Sequence, residues 1–108
     1  MAPAPADPDV FAAIANPVRR RLLELLADGP RNAGSLAEEF DLSRPSVSEH
    51  LQVLRRAALV QEEVRGRERH YRLSAEPLAD VGTWLRPFER YWRRRLSDLA
   101  TFLEETPE

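Results

Sequence analysis

Cysteine is absent from the 108 residues. That excludes a disulfide framework, a zinc–thiolate site, a cysteine nucleophile and thiol-based redox sensing. Histidine occurs only at His50 and His70, too few for a histidine-only metal site without carboxylates or a second subunit. No apolar run approaches the ~20 residues that a membrane-spanning helix needs. The opening stretch, Met1-Ala-Pro-Ala-Pro-Ala-Asp7, has no basic group and no apolar segment, so it does not read as a signal peptide. A flexible leader over 1–7 and a cytoplasmic protein without membrane contact are expected. Lysine is missing as well, and all 16 basic residues are arginine. Codon usage in a GC-rich genome is the plainest source of that bias. Arginine nevertheless makes bidentate contacts to phosphate and guanine that lysine does not match.

What is present describes a globular chain: 43% hydrophobic and 31% charged residues. At this length one domain over 8–108 is expected, since two separate cores would be too small. The net charge of −2 does not suggest nucleic acid, but the charge is unevenly spread. Residues 42–72 hold seven arginines against four acids, a surplus of three, while both ends of the chain are acidic. A basic stretch inside an acidic chain fits a directed phosphate-binding face, and equally an ordinary solvated one.

Punctuation divides the chain into helices. Asp7-Pro8 reads as an N-cap and first-turn proline, followed by Val10, Phe11 and Ile14 at helical spacing. Asn16-Pro17 repeats the signal and starts a helix to about Ala27, with Val18, Leu22, Leu25 and Leu26 apolar. Asp28-Gly29-Pro30 ends it, glycine suiting a left-handed cap. Two shorter helices follow, at about 34–40 and from the Ser43 cap to about Ala57, joined by Asp41-Leu42. Periodicity then switches to alternation. Val60 to Val64 and Arg69 to Leu73 flank Arg65-Gly66-Arg67-Glu68, predicting a two-stranded hairpin over about 60–73 with a basic tip. Such a hairpin is marginal alone and must lie against the helices.

From about Pro77 to Glu104, apolar residues Leu78, Val81, Leu85, Phe88, Trp92, Leu96, Leu99 and Leu103 recur in steps of three and four. That approaches the 3.5-residue repeat of a helix–helix seam, and predicts a helix of ~40 Å. Pro87 is expected to kink or split it.

The helix Ser43–Ala57 has two faces. With Val47 inward, Leu51, Leu54 and Ala58 lie within ~40° of it on a helical wheel. Pro45, Glu49, Gln52 and Arg56 lie opposite, with Ser48 at the edge. A helix that packs on one side and presents polar groups on the other, followed by a basic hairpin, has the order of a winged helix-turn-helix. The expected fold is therefore mainly α, with a small β-hairpin wing and a long C-terminal helix for dimerisation.

The stretch Gly34-Ser-Leu-Ala-Glu-Glu-Phe-Asp-Leu-Ser-Arg-Pro-Ser-Val-Ser-Glu-His-Leu-Gln-Val-Leu-Arg-Arg-Ala-Ala-Leu-Val60 resembles the DNA-binding core of ArsR-type (arsenical-resistance regulator) winged-helix repressors. Ala15 to Leu26 resembles the family's opening helix, and Arg65-Gly66-Arg67 with Tyr71-Arg72-Leu73 resembles its wing. The likeness covers about residues 9–104. Ala58 departs from it, standing where glycine is usual before Leu59-Val60.

The resemblance implies that Arg44, Ser46, Ser48, Glu49 and Gln52 contact bases and phosphates of double-stranded DNA. It implies that Arg65, Arg67 and Arg69 reach the flanking backbone or minor groove. Ser43 reads as a cap. Glu49 is either solvated or accepts from a cytosine amino group. His50 reads as a packed, hydrogen-bonded histidine before a ligand. The family's metal sensors bear cysteine in the first helix of the motif or Asp/His pairs on the last helix. Here those places hold Ser35-Leu36-Ala37-Glu38-Glu39 and Asp80, Glu89 and Asp98 without histidine. No metal and no cofactor is expected.

Trp84, Phe88, Tyr91, Trp92 and Phe102 load the last segment with aromatics. A subunit interface is the preferred reading. It is formed by Val10, Phe11, Ile14, Trp84, Phe88, Trp92, Leu96 and Leu99, as the family's two-fold dimer implies. An aromatic-lined pocket for a small organic effector is the competitor. The Trp-rich segment looks like that of non-metal members of the family. The expected function is a homodimeric, sequence-specific repressor at a pseudo-palindromic operator. A winged-helix module that holds a partner protein without DNA is the alternative. No nucleophile–base pair or Gly-rich phosphate loop suggests an enzyme.

Overall fold

The computed structural model describes residues 9–105; the expected leader and the Asp7-Pro8 helix start lie outside them. Asp9 itself caps the first helix, α1 (Val10–Ala13), its carboxylate accepting from the Ala12 amide at 2.8 Å. Asn16 caps α2 (Pro17–Ala27), its side-chain oxygen accepting from the Val18 and Arg19 amides at 2.8 and 3.2 Å. These are the free amides that every helix start must satisfy. Asp28 ends α2, and Gly29 follows at φ +142°, a value outside the left-handed helical region that the sequence suggested and open in practice to glycine alone.

Two residues then do what the sequence did not announce. Arg31–Asn32 form a short strand, β1, pairing antiparallel with the later hairpin. Asn32 also caps α3 (Ala33–Ala37), accepting from the Ser35 amide at 2.7 Å. After a turn, Ser43 caps α4 (Arg44–Arg56), accepting from the Ser46 amide at 3.2 Å. The hairpin comprises β2 (Val60–Arg65) and β3 (Glu68–Leu73), paired from Val60↔Leu73 to Arg65↔Glu68. The sheet is three-stranded in the order β1-β3-β2, not the expected pair. Gly66 at φ +62° makes the two-residue turn possible.

The end of α4 is a Schellman motif. The Ala58 amide donates to the Arg55 carbonyl, and the Leu59 amide to the Leu54 carbonyl, both at 2.9 Å. Ala58 therefore adopts φ +61° without being glycine. It is exposed rather than on the inward stripe of α4, and the buried position is Ala57.

The core lies between α2, α3, α4 and the sheet: Leu22, Leu25, Leu26, Leu36, Val47, Leu51, Leu54, Leu59, Val60 and Tyr71 are buried. Leu23, which the sequence pattern left out, joins them. Val64, in phase with the buried Val60, is exposed near the hairpin tip, where it pairs with Arg69. Arg19 ties α1 to this body. Its guanidinium donates to the Ala13 and Ala12 carbonyls at 2.6 and 3.2 Å and to His50 Nδ1 at 3.2 Å. His50 is thus the half-buried, hydrogen-bonded histidine expected.

Pro87 splits the last helix. α5 (Leu78–Leu85) ends in a 3-10 turn (Arg86–Phe88), and α6 (Glu89–Glu105) continues beyond it. Leu78 and Val81 pack against the core, whereas Leu96 and Leu103 on α6 remain 61% and 63% exposed. The Cα radius of gyration is 18.4 Å, against ~13 Å for a compact chain of about this length. α6 is an arm extending from a packed body.

Candidate nucleic-acid interface

α3 and α4 form a helix-turn-helix, and the hairpin stands beside α4. Ser48, Glu49, Gln52, Val53 and Arg56 of α4 and Arg69 and Tyr71 of β3 line one groove between helix and hairpin. A second hollow lies next to it, walled by Asn32, Gly34, Glu38, Arg44, Glu68 and Arg69. Arg69 borders both. Of the residues expected to meet DNA, Ser48, Glu49, Gln52 and Arg69 share the groove, and Arg44 faces the hollow. Arg65 and Arg67 occupy the hairpin tip.

Their states differ. Arg67 is exposed and makes no hydrogen bond or ion pair among the described residues. Arg65 is paired with Glu63 at 3.1 Å, and Arg69 with Glu62 at 3.4 Å. The Arg65 pair lies in open solvent, where such contacts add little stability, so Arg65 can exchange its partner for phosphate; the Glu62 partner of Arg69 is largely covered. Ser46 accepts from the Ser43 hydroxyl at 2.9 Å and is half-buried, as is Ser48. Arg44 lies over the start of α3, where a Cβ on Gly34 would sit 3.3 Å from its Nη2. A glycine there leaves room for the guanidinium to approach the α3 backbone.

Gln52 is not the free base reader that its place on the outer face suggests. Its amide nitrogen donates to Glu62 Oε2 at 3.0 Å and to the Tyr71 hydroxyl at 3.4 Å. Tyr71 in turn donates to the same Glu62 oxygen at 3.1 Å. The Gln52 bond, with further help from Tyr71, Arg69 and Arg55, holds the Glu62 carboxyl below its ordinary range against the opposing effect of burial. Burial first, then the Glu62 charge, pushes the Tyr71 hydroxyl up, so it stays a donor. Glu62 and Tyr71 were missed as site residues. The available signal was their shared inward parity on facing strands.

Three other aromatic residues, on α1, α5 and the 3-10 turn, form a cluster of their own. Phe11 and Trp84 meet edge-on with ring centres 5.9 Å apart, and Trp84 and Phe88 lie 5.1 Å apart. All three remain exposed, as do Trp92, Leu96 and Leu99. Val10 differs from its expected interface partners: it is only 6% exposed, because α1 turns it into the protomer's own core. Ile14 is likewise partly spent inside, packed against that core. Among the described residues no group of three or more His, Asp or Glu converges as metal ligands, and no helix is long and apolar enough to cross a membrane.

A helix-turn-helix with a three-stranded wing beside its second helix defines a winged helix-turn-helix protein. A helix-turn-helix domain profile matches residues 14–63. The chain is 39% identical over 80 residues to the transcriptional repressor SdpR of Bacillus subtilis, covering 74% of this chain and 89% of that protein. It is 40% identical to the HTH-type transcriptional regulator Rv2034 of Mycobacterium tuberculosis, covering 87% and 85% respectively. A solved structure of a possible transcriptional regulator for arsenical resistance superposes with TM-score 0.64 at 35% identity, covering 89% and 94%. An ArsR-like transcriptional regulator from Rhodococcus sp. RHA1 gives TM-score 0.62 at 31% identity, covering 90% and 92%. The chain belongs to the ArsR-type family of winged helix-turn-helix transcriptional regulators, a DNA-binding family whose members named here are regulators of transcription.

Proposed function

We propose that the protein is a cytoplasmic homodimeric repressor, one domain over 8–108, that binds a pseudo-palindromic operator and senses neither metal nor thiol. Two α4 helices related by a two-fold axis would enter successive major grooves about 34 Å apart. Ser48 and Glu49 would face base edges, with Gln52 on the same face but engaged by Glu62 and Tyr71; Arg44 and Ser46 would meet the backbone at the start of α4. Arg65, Arg67 and Arg69 would reach phosphates or the flanking minor groove. The observation that carries this reading is the unpaired Arg67 at the tip of a hairpin standing beside the polar groove of α4.

The dimer reading rests on the arm. Phe11, Trp84, Phe88, Trp92, Leu96 and Leu99 are all exposed, and covering each large side chain fully is worth ~1.5–3 kcal/mol. Val10 and Ile14 would support such an interface from behind. The lack of cysteine supports regulation without a thiol, and α5 and α6 carry Asp80, Glu89 and Asp98 without histidine, which supports regulation without metal. The Phe11–Trp84–Phe88 cluster also favours a second reading, a small organic effector bound among these aromatics at the dimer interface.

Gel shifts with duplexes from the gene's own promoter region, at two salt concentrations, test the proposal. Specific binding that weakens steeply with salt is expected. Absence of any duplex binding would leave the fold as a module for holding a partner protein.

A further inference from the structure

Glu62 is an acid placed between the recognition helix and the wing. It lies on β2 directly across from Tyr71 of β3, and its side chain keeps only 12% of its surface. A carboxylate so covered loses hydration and must recover it from donors. It has three: Gln52 Nε2 at 3.0 Å and the Tyr71 hydroxyl at 3.1 Å on one oxygen, and Arg69 Nη1 at 3.4 Å on the other. The Gln52 amide also donates to the Tyr71 hydroxyl at 3.4 Å, and its own oxygen accepts from Arg55 at 3.4 Å. Glu62, Gln52, Tyr71 and Arg69 come from α4, β2 and β3. Glu62, Gln52 and Tyr71 close a polar ring, with Arg69 on the other Glu62 oxygen, across the junction of the two parts that DNA reading requires.

The position is otherwise a poor one for an acid. A carboxylate close to a DNA-binding face repels phosphate and weakens binding to every sequence. We infer that Glu62 is a positioning residue for DNA recognition, clamping the wing to α4 through Gln52, Tyr71 and Arg69. This rests on the DNA-binding reading above. It also changes the role of Gln52, because the amide that would read a base holds the wing in register. A direct base reader, when removed, relaxes preference at one base pair. A clamp member, when removed, degrades the fit of helix and wing together and so relaxes preference across the half-site.

The test uses the full chain and duplexes that the wild type selects from a random pool. Affinities for the best duplex and for a scrambled one are measured for wild type, Glu62→Ala, Glu62→Gln, Tyr71→Phe and Gln52→Ala. Glu62→Ala is expected to bind the scrambled duplex as well as wild type or better. Its ratio of selected to scrambled affinity is expected to fall about tenfold or more, a substantial part of a typical specificity ratio. Glu62→Gln, which keeps an acceptor oxygen, restores most of that ratio. Tyr71→Phe loses an intermediate amount, and Gln52→Ala loses preference at several base pairs. Equal tightening on both duplexes in Glu62→Ala would overturn the inference, leaving only a repulsive surface charge.

A second measurement needs no DNA. In the free protein, backbone amides of residues 60–73 should exchange with solvent faster in Glu62→Ala than in wild type, while those of Leu22 to Leu26 do not change. Unchanged exchange in the hairpin would overturn the clamp by itself. If wild type selects no duplex, the DNA-binding reading fails, and the exchange result still decides whether the clamp exists.

Discussion

The body over α2 to β3 and the arm over the 3-10 turn and α6 both carry regularly spaced apolar residues, with opposite fates for them. In the body, Leu22, Leu36, Leu51, Leu54 and Leu59 are wholly covered by the same chain, and side chains cap the starts of α2, α3 and α4. On the arm, Trp92, Leu96, Leu99 and Leu103 keep their period but meet little of the protomer. Periodicity identifies a face to be buried; it does not say whether the partner is in the same chain. The body buries its apolar stripe within one chain, and the arm leaves its own exposed.

The sharpest way to break this comparison is to damage each part in turn. Leu51→Ala should cost about 2–5 kcal/mol, as for fully packed leucines, enough to unfold much of so small a domain in urea or thermal melts. Leu96→Asp should leave the urea midpoint of the body's transition near wild type while shifting sedimentation from dimer to monomer. A monomeric wild type would remove the contrast. Next in size, Arg67→Ala should weaken binding to all duplexes and reduce the salt slope by about 1; an unchanged slope in a salt titration would take the wing tip out of the interface.

Smaller effects lie at the joints. The φ of +61° at Ala58 costs about 1–2 kcal/mol of left-handed strain. Glycine there would remove that and lose ~0.5–1 kcal/mol to unfolded-chain entropy. Ala58→Gly should therefore raise the melting temperature by a few degrees, measured by circular dichroism. The smallest is a pH effect. Because Glu62 has its carboxyl lowered below 4.5, the unfolded chain binds the proton more readily. Its contribution to stability is present above that range and lost as pH falls through the lowered value. Urea midpoints from pH 6 downward should fall less in Glu62→Gln than in wild type.

Much of the fold was legible because caps and period agreed. Asn16-Pro17 and Ser43 marked two helix starts, and Arg65-Gly66-Arg67-Glu68 marked the hairpin turn. β1 was not legible: two residues, Arg31 and Asn32, carry no period, and they form a strand only because β3 lies alongside. Ala58 followed the inward stripe on a wheel but left it in the structure, since the helix had already ended in a left-handed residue. At the site, the face of α4 was readable from spacing. The use of Gln52 was not, because its partners stand 10 and 19 residues away on the hairpin. Val10 shows the limit from the other side. An apolar residue beside Phe11 joins the same pattern, yet the turn of α1 sends one inward and leaves the other outside.

The two-residue strand β1 has a consequence for solubility. By taking the inner side of β3, it leaves β2 as the long free border of the sheet. Open strand borders invite the same border of another molecule, and charged side chains are a common guard against it. Along β2 the exposed positions are Gln61, Glu63, Val64 and Arg65, with Glu63 and Arg65 joined by an ion pair. Two such borders meeting would bring these charges into crowded, drier surroundings. Charges along this border disfavour the pairing of one hairpin edge with another.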